Sequence, residues 1–263
     1  MIPIITLIFF FFGLVIGSFL NVIILRYNTE KSFGGRSACM SCKNMLSWYE
    51  LVPLFSFLGL RGRCLKCKSK ISVQYPLVEL ATGIIFAGLF LKFQDIFFLN
   101  TLIFAGTYAY FTSVFSLLLV IAVYDFKHKI IPDLLVLFFD IVAFVGLFVF
   151  SIYGFNIHMP NLWEFLSGVV IALPFALIWF LSAGTWMGLG DAKLAIGLGW
   201  LLGLSRVLSG VVISFWSGAL ISILLIAFTK KYKMKSEIPF APFLVLGTII
   251  AFLFELHLFP IGF

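Results

Sequence analysis

Two aspartates stand where a largely apolar chain gains nothing from an idle charge. Asp125 closes one long apolar run in Ala122-Val-Tyr-Asp-Phe-Lys-His-Lys-Ile-Ile-Pro-Asp133. Asp191 follows two glycines in Met187-Gly-Leu-Gly-Asp-Ala-Lys193, between two further apolar runs. An ionisable residue at membrane depth is costly and is a functional candidate by default. Two carboxylates held close together do not both ionise easily, so one keeps a proton while the other acts as base. Such a pair can activate a water and protonate a leaving amine, which is the chemistry of an aspartyl protease. Gly188 and Gly190 would give the backbone freedom and let an extended peptide approach closely. The competing reading is a pair of interfacial carboxylates balanced by Lys127, Lys129 and Lys193. Asp133, after Pro132, is read as a helix N-cap, and Asp140 as a packing or hydrogen-bonding group inside an apolar segment.

A second constellation lies nearer the N-terminus. Cys39-Met-Ser-Cys42 and Cys64-Leu-Lys-Cys67 are two C-x-x-C pairs with 21 residues between them. That is close to the spacing of a four-cysteine zinc site, in which each turn grips one tetrahedral ion with two thiolates. The segment 26–76 that carries them has too little core to fold alone, and a metal would staple it. Lys43, Arg61, Arg63, Lys66 and Lys68 would offset the −2 charge of a zinc–tetrathiolate centre. A membrane thiol oxidoreductase would also use four cysteines, but it would need them on the oxidising side of the membrane.

The elements that must position these residues are membrane helices. Hydrophobic residues make up 62% of the 263 and charged residues 11%, and the mean hydropathy is +1.16. These values lie far from soluble averages. Eight apolar spans are expected, at about 2–25, 77–92, 98–124, 134–152, 164–183, 192–204, 207–228 and 239–259. The sixth is short and Gly-rich, so it is tilted, broken or re-entrant if it crosses at all. With eight crossings, 16 of the 18 Lys and Arg fall on one side, leaving Lys92 and Arg206 on the other. The positive-inside rule places that side in the cytoplasm, with both termini outside. The same asymmetry accounts for the net charge of +7 without nucleic acid. It also places the cysteines among reduced thiols. The N-terminal run lacks a basic region before its apolar stretch and is not expected to be a cleavable signal. Gly17 and Ser18 within it are read as small packing residues. The 34 phenylalanines are read as compositional bias.

Taken in chain order, GSFLNVIILR, the two C-x-x-C pairs, WYELVPLFSFLGLRGRC, QYPLVELATG, AVYDFKHKIIPD, MGLGDAK and IPFAPFL resemble the bacterial type IV prepilin peptidases, GxGD-type membrane aspartyl proteases. The resemblance spans nearly the whole chain. It departs from the family's frequent pattern at Met40 and Ala241, neither of which is expected to touch a metal ligand or an aspartate. It implies that Asp125 and Asp191 are the catalytic pair and that Cys39, Cys42, Cys64 and Cys67 bind structural zinc in a cytoplasmic module. It further implies removal of the leader peptide of type IV prepilins or pseudopilins after a Gly. Methylation of the new N-terminal residue, often Phe, then follows with S-adenosylmethionine as methyl donor. The cytoplasmic module, with Glu50, is the expected contributor to methylation, and no glycine-rich nucleotide loop marks a cofactor site. The expected architecture is therefore all-α and polytopic, in the bacterial cytoplasmic membrane. It comprises a first transmembrane helix (1–25), a zinc-stapled module (26–76) and a membrane peptidase core (77–263). A transporter with a proton or cation path through Asp125, Asp140 and Asp191 is the alternative from another class. It requires acids spread through membrane depth, whereas Asp125 and Asp191 cluster at one face. Glu79, at the start of the second span, is either interfacial or functional.

Overall fold

The computed structural model describes residues 1–29, 34–151, 153–228 and 237–257. Every expected apolar run is helical: α1 (Ile2–Arg26), α3 (Gln74–Leu99), α4 (Thr101–His128), α5 (Asp133–Val149), α6 (Leu162–Leu181), α7 (Leu189–Leu202), α8 (Leu204–Phe228) and α9 (Ala241–Leu253). A five-residue α2 (Phe55–Gly59) and a two-residue hairpin, β1 (Phe150–Ser151) with β2 (Gly154–Phe155), complete the order. Five helices, α1, α3, α4, α6 and α8, are long and apolar enough to cross a bilayer. The others fall short: α5 has 17 residues, α7 has 14 and α9 has 13. At 1.5 Å per residue α7 is about 21 Å long, against a hydrocarbon core of about 30 Å. The chain is thus a multi-pass, predominantly helical membrane protein in which, among the described residues, eight apolar helices are formed and five have crossing length.

The chain divides into two compact units, Met1–Lys92 and Phe93–Phe263. In the first, α1 lies against α3 along a stripe of small residues. A Cβ at Gly13 would meet Gly83 Cα at 2.8 Å, and one at Gly17 would meet Glu79 Cα at 2.7 Å. Gly17 is therefore the packing residue expected, since only the absence of a side chain lets the backbones approach. Between these helices two turns of like geometry hold the cysteines. The Cys39 N–H donates to Asn44 O at 2.9 Å and the Cys64 N–H to Ser69 O at 2.9 Å. Lys43 and Lys68, at matching places, both have φ of 58°.

In the second unit α7 is the centre, packed against α5, α6, α8 and α9. Gly199 brings α7 to α6 backbone to backbone, where a Cβ would lie 2.5 Å from Gly168 Cα. The Ser167 hydroxyl ties the same point by donating to Gly199 O at 2.9 Å. Several phenylalanines are more than compositional bias here. Phe252 of α9 packs against Phe111 at 4.8 Å and Phe115 at 5.1 Å between ring centroids. All three are fully buried.

Candidate active site

Asp125 sits in the last turn of α4, one turn before Lys129 closes the helix with φ of 56° and donates to Asp125 O at 2.7 Å. The turn that follows runs through Ile131 to Pro132, and α5 starts at Asp133. Asp191 lies in the first turn of α7, whose N-cap is Gly188. Both side chains are buried, Asp125 at 4% and Asp191 at 7% exposure. Each is held by a helix start. The Asp125 carboxylate accepts from the N–H of Ala241, the first residue of α9. The Asp191 carboxylate accepts from the Gly188 N–H, as the acidic half of a capping box does. The first four N–H groups of a helix have no intrahelical acceptor, so both contacts use donors that would otherwise be unsatisfied. The two carboxylates lie close enough for the charge of Asp125 to act on Asp191. Asp191 Oδ1 is buried with no hydrogen-bond partner among the described residues.

Two of the three lysines named as possible counter-charges go elsewhere. Lys193 pairs with Asp133 at 2.8 Å, and Lys129 faces Glu237 at 3.9 Å. Asp133 is therefore not the N-cap expected: Pro132 holds that position with no side-chain cap, and the Asp133 carboxylate reaches across to α7 instead. The glycines also act differently from expectation. Neither Gly188 nor Gly190 has a positive φ. Gly190 is small because Ile131 of the same chain covers it, with Cβ to Cβ at 2.8 Å were a side chain added. Only Gly188 keeps room above it. Asp140 stands apart from the pair. Its carboxylate rests over Gly197 of α7 and accepts from the Gly197 N–H, with Oδ1 buried. Ala241, expected not to touch an aspartate, does so through its N–H, and the Ile131 side chain was not singled out at all, because a backbone donor and a covering turn leave no residue-type signal.

The four cysteines come together as their spacing requires. Their Sγ atoms all lie within 4.8 Å of one another, and Cys39 and Cys67 are 3.8 Å apart. A tetrahedral ion with Zn–S bonds of about 2.3 Å needs sulfurs roughly 3.8 Å apart, so the donor set fits zinc. The N–H groups of Cys42 and Ser41 pull the Cys39 thiol down to about 6, and the Ser69 hydroxyl and N–H lower Cys67. Burial and the three neighbouring sulfurs instead push Cys42 up to about 11. Thiolate is the form a metal binds. The Glu50 carboxylate accepts from the Ser47 N–H at 2.9 Å. Glu79 is buried and accepts from the Leu54 N–H at 2.8 Å.

The family description "Bacterial Peptidase A24 N-terminal domain" matches residues 11–93, and "Type IV leader peptidase family" matches residues 112–223, which hold both aspartates. The chain is 31% identical over 241 residues to the prepilin leader peptidase/N-methyltransferase of Myxococcus xanthus, covering 89% of this chain and 67% of that protein. It is 28% identical to the protein of that name from Bacillus subtilis, covering 94% and 93%. The corresponding Xanthomonas campestris protein is 30% identical, covering 91% and 88%. No solved structure matches the chain. The chain belongs to the type IV leader peptidase family.

Proposed function

We propose that the protein removes the leader peptide of type IV prepilins or pseudopilins after a Gly and then methylates the exposed N-terminal amine. Asp125 and Asp191 are the catalytic pair. The observation that carries this reading is a pair of buried carboxylates, brought from two different helices into electrostatic reach, with Lys129 and Lys193 paired with other acids. One carboxylate takes a proton from the attacking water and the other gives one to the leaving amine. Cys39, Cys42, Cys64 and Cys67 would hold a structural zinc that staples the segment 26–76. S-adenosylmethionine is the methyl donor implied by the relatives' name. The membrane core spans 77–263 behind a first helix at 1–25, and the cation-rich loops face the cytoplasm of a bacterial inner membrane. The short helices complete eight passes, α7 and α9 by packing largely inside the bundle and α5 with an exposed apolar face that meets lipid.

The test is cleavage of a co-encoded prepilin by Asp125→Asn and Asp191→Asn. Each should abolish processing with expression intact, because neither carboxylate performs both proton transfers alone. Turnover by either variant within tenfold of wild type would sink the aspartyl mechanism.

A further inference from the structure

Methylating an α-amine needs a group that takes its proton, and residues 1–92 offer few. The type IV leader peptidase description covers 112–223, which hold both aspartates, and a separate N-terminal domain description covers 11–93. The first unit is therefore where a group serving the second activity is sought. That unit contains no histidine and three acids, Glu30, Glu50 and Glu79. Glu30 lies outside the described residues. Glu50 caps the turn at Ser47. Glu79 is different: it is 7% exposed, and among the described residues no Lys or Arg pairs with it. Its carboxylate accepts from the Leu54 N–H at 2.8 Å and from the Ser18 hydroxyl. A carboxylate has about four acceptor positions, so two remain.

The neighbouring turn presents a second acceptor with nothing to accept. Asn21 is one turn beyond Ser18 on α1, is 1% exposed, and donates through Nδ2 to Gly17 O at 3.3 Å and Tyr75 O at 3.1 Å. Tyr75 is one turn before Glu79 on α3. Two carbonyl acceptors fix the orientation of the amide, because flipping it would set oxygen against oxygen. Its Oδ1 is then a buried acceptor without a partner, which is costly if nothing fills it. A carboxylate with no ion-pair partner and an orphan carbonyl oxygen, one turn apart along α1 and α3, suit a cationic donor.

We propose that Glu79 and Asn21 form the amine-binding site of the methyl transfer, with Glu79 as proton acceptor; this rests on the reading that the chain methylates its cleaved substrate. The N-terminal ammonium donates to Asn21 Oδ1 and gives one proton to the Glu79 carboxylate. The freed nitrogen lone pair forms the N–CH3 bond as the C–S bond of a sulfonium donor breaks, leaving its electrons on sulfur. The product is a methylammonium and a neutral thioether, and Glu79 returns its proton to water. A mere latch for the Leu54 turn would need only a neutral acceptor, and a carboxylate near membrane depth is an expensive substitute.

The experiment uses the full-length protein in detergent with Glu79→Gln, which keeps an acceptor for Leu54, and Glu50→Gln as companion. Without methyl donor, binding is measured for an apolar peptide with a free N-terminal Phe and for its N-acetylated twin. Transfer to the free peptide, prepilin cleavage and zinc content are measured alongside. Wild type should bind the free amine about tenfold or more tightly than the acetylated peptide, a charge-assisted preference. Glu79→Gln should lose that preference and most transfer, while cleavage and zinc persist, and Glu50→Gln should retain all of them. Wild-type transfer by Glu79→Gln, or equal binding of the two peptides by wild type, overturns the site. Joint loss of cleavage and zinc in Glu79→Gln makes Glu79 a structural latch and overturns it equally. Should wild type bind the amine selectively yet transfer no methyl group, the methyltransferase reading falls and the amine site stands.

Discussion

One added methyl group at Gly199 tests how the aspartate of α7 is held. A Cβ there would lie 2.5 Å from Gly168 Cα, 2.6 Å from Gly168 N and 2.7 Å from the Ser167 carbonyl carbon. All three are backbone atoms, so no rotamer change relieves them. Carbon atoms prefer about 3.5–4.0 Å, so α6 and α7 must part by roughly 1 Å. That movement also strains the bond from the Ser167 hydroxyl to Gly199 O and the one from Trp200 Nε1 to Phe165 O at 3.0 Å. Overpacking costs about 1–3 kcal/mol, and a weakened hydrogen bond adds about 1 kcal/mol. The better helix propensity of Ala returns up to about 1 kcal/mol, leaving a net loss of roughly 1–3 kcal/mol. Asp191 is eight residues away, about 12 Å along the axis. A helix shifted as a rigid body carries it by a similar 1 Å, and misplacement on that scale costs about 100-fold in rate. The assay is the cleavage rate of a prepilin by purified Gly199→Ala, with its thermal midpoint. Gly106→Ala is the companion, since a Cβ there meets nothing within 4 Å and should leave both values close to wild type. Wild-type cleavage and stability in Gly199→Ala would refute the backbone contact between α6 and α7.

Purified protein should carry about one zinc per chain by metal analysis. Serine at Cys39, Cys42, Cys64 or Cys67 should lower that content and expose the segment 26–76 to protease, because metal-binding energy in such a module is folding energy; full protection without metal would rule the staple out. Lys193→Met removes an ion pair with both partners partly exposed, worth about 0.2–1 kcal/mol. Cleavage should stay within about twofold, and a tenfold loss would place Lys193 at the reacting atoms rather than at Asp133.

What the sequence made legible was whatever depends on residue type at short spacing. The cysteines could be grouped because each C-x-x-C pair is one local turn, and both turns fold alike around Lys43 and Lys68. The apolar runs became helices because composition alone drives them, but their lengths did not follow from composition. Gly188 and Gly203, at the two ends of α7, cut it to 14 residues. The aspartates could be singled out by their setting, yet the setting was misread in one respect. Lys129 and Lys193 are near in sequence and were natural counter-charges; in the fold they serve Glu237 and Asp133 on the surface. What meets the buried carboxylates is a pair of backbone N–H groups, from Gly188 and Ala241, at the starts of α7 and α9. Backbone donors are identical at every residue except proline, so no pattern of side chains could reveal them. They also suit the proposed chemistry better than lysines. An N–H at a helix start is fixed in place and carries only a partial positive charge. It orients a carboxylate without locking it into an ion pair, and so leaves that carboxylate able to exchange a proton with water.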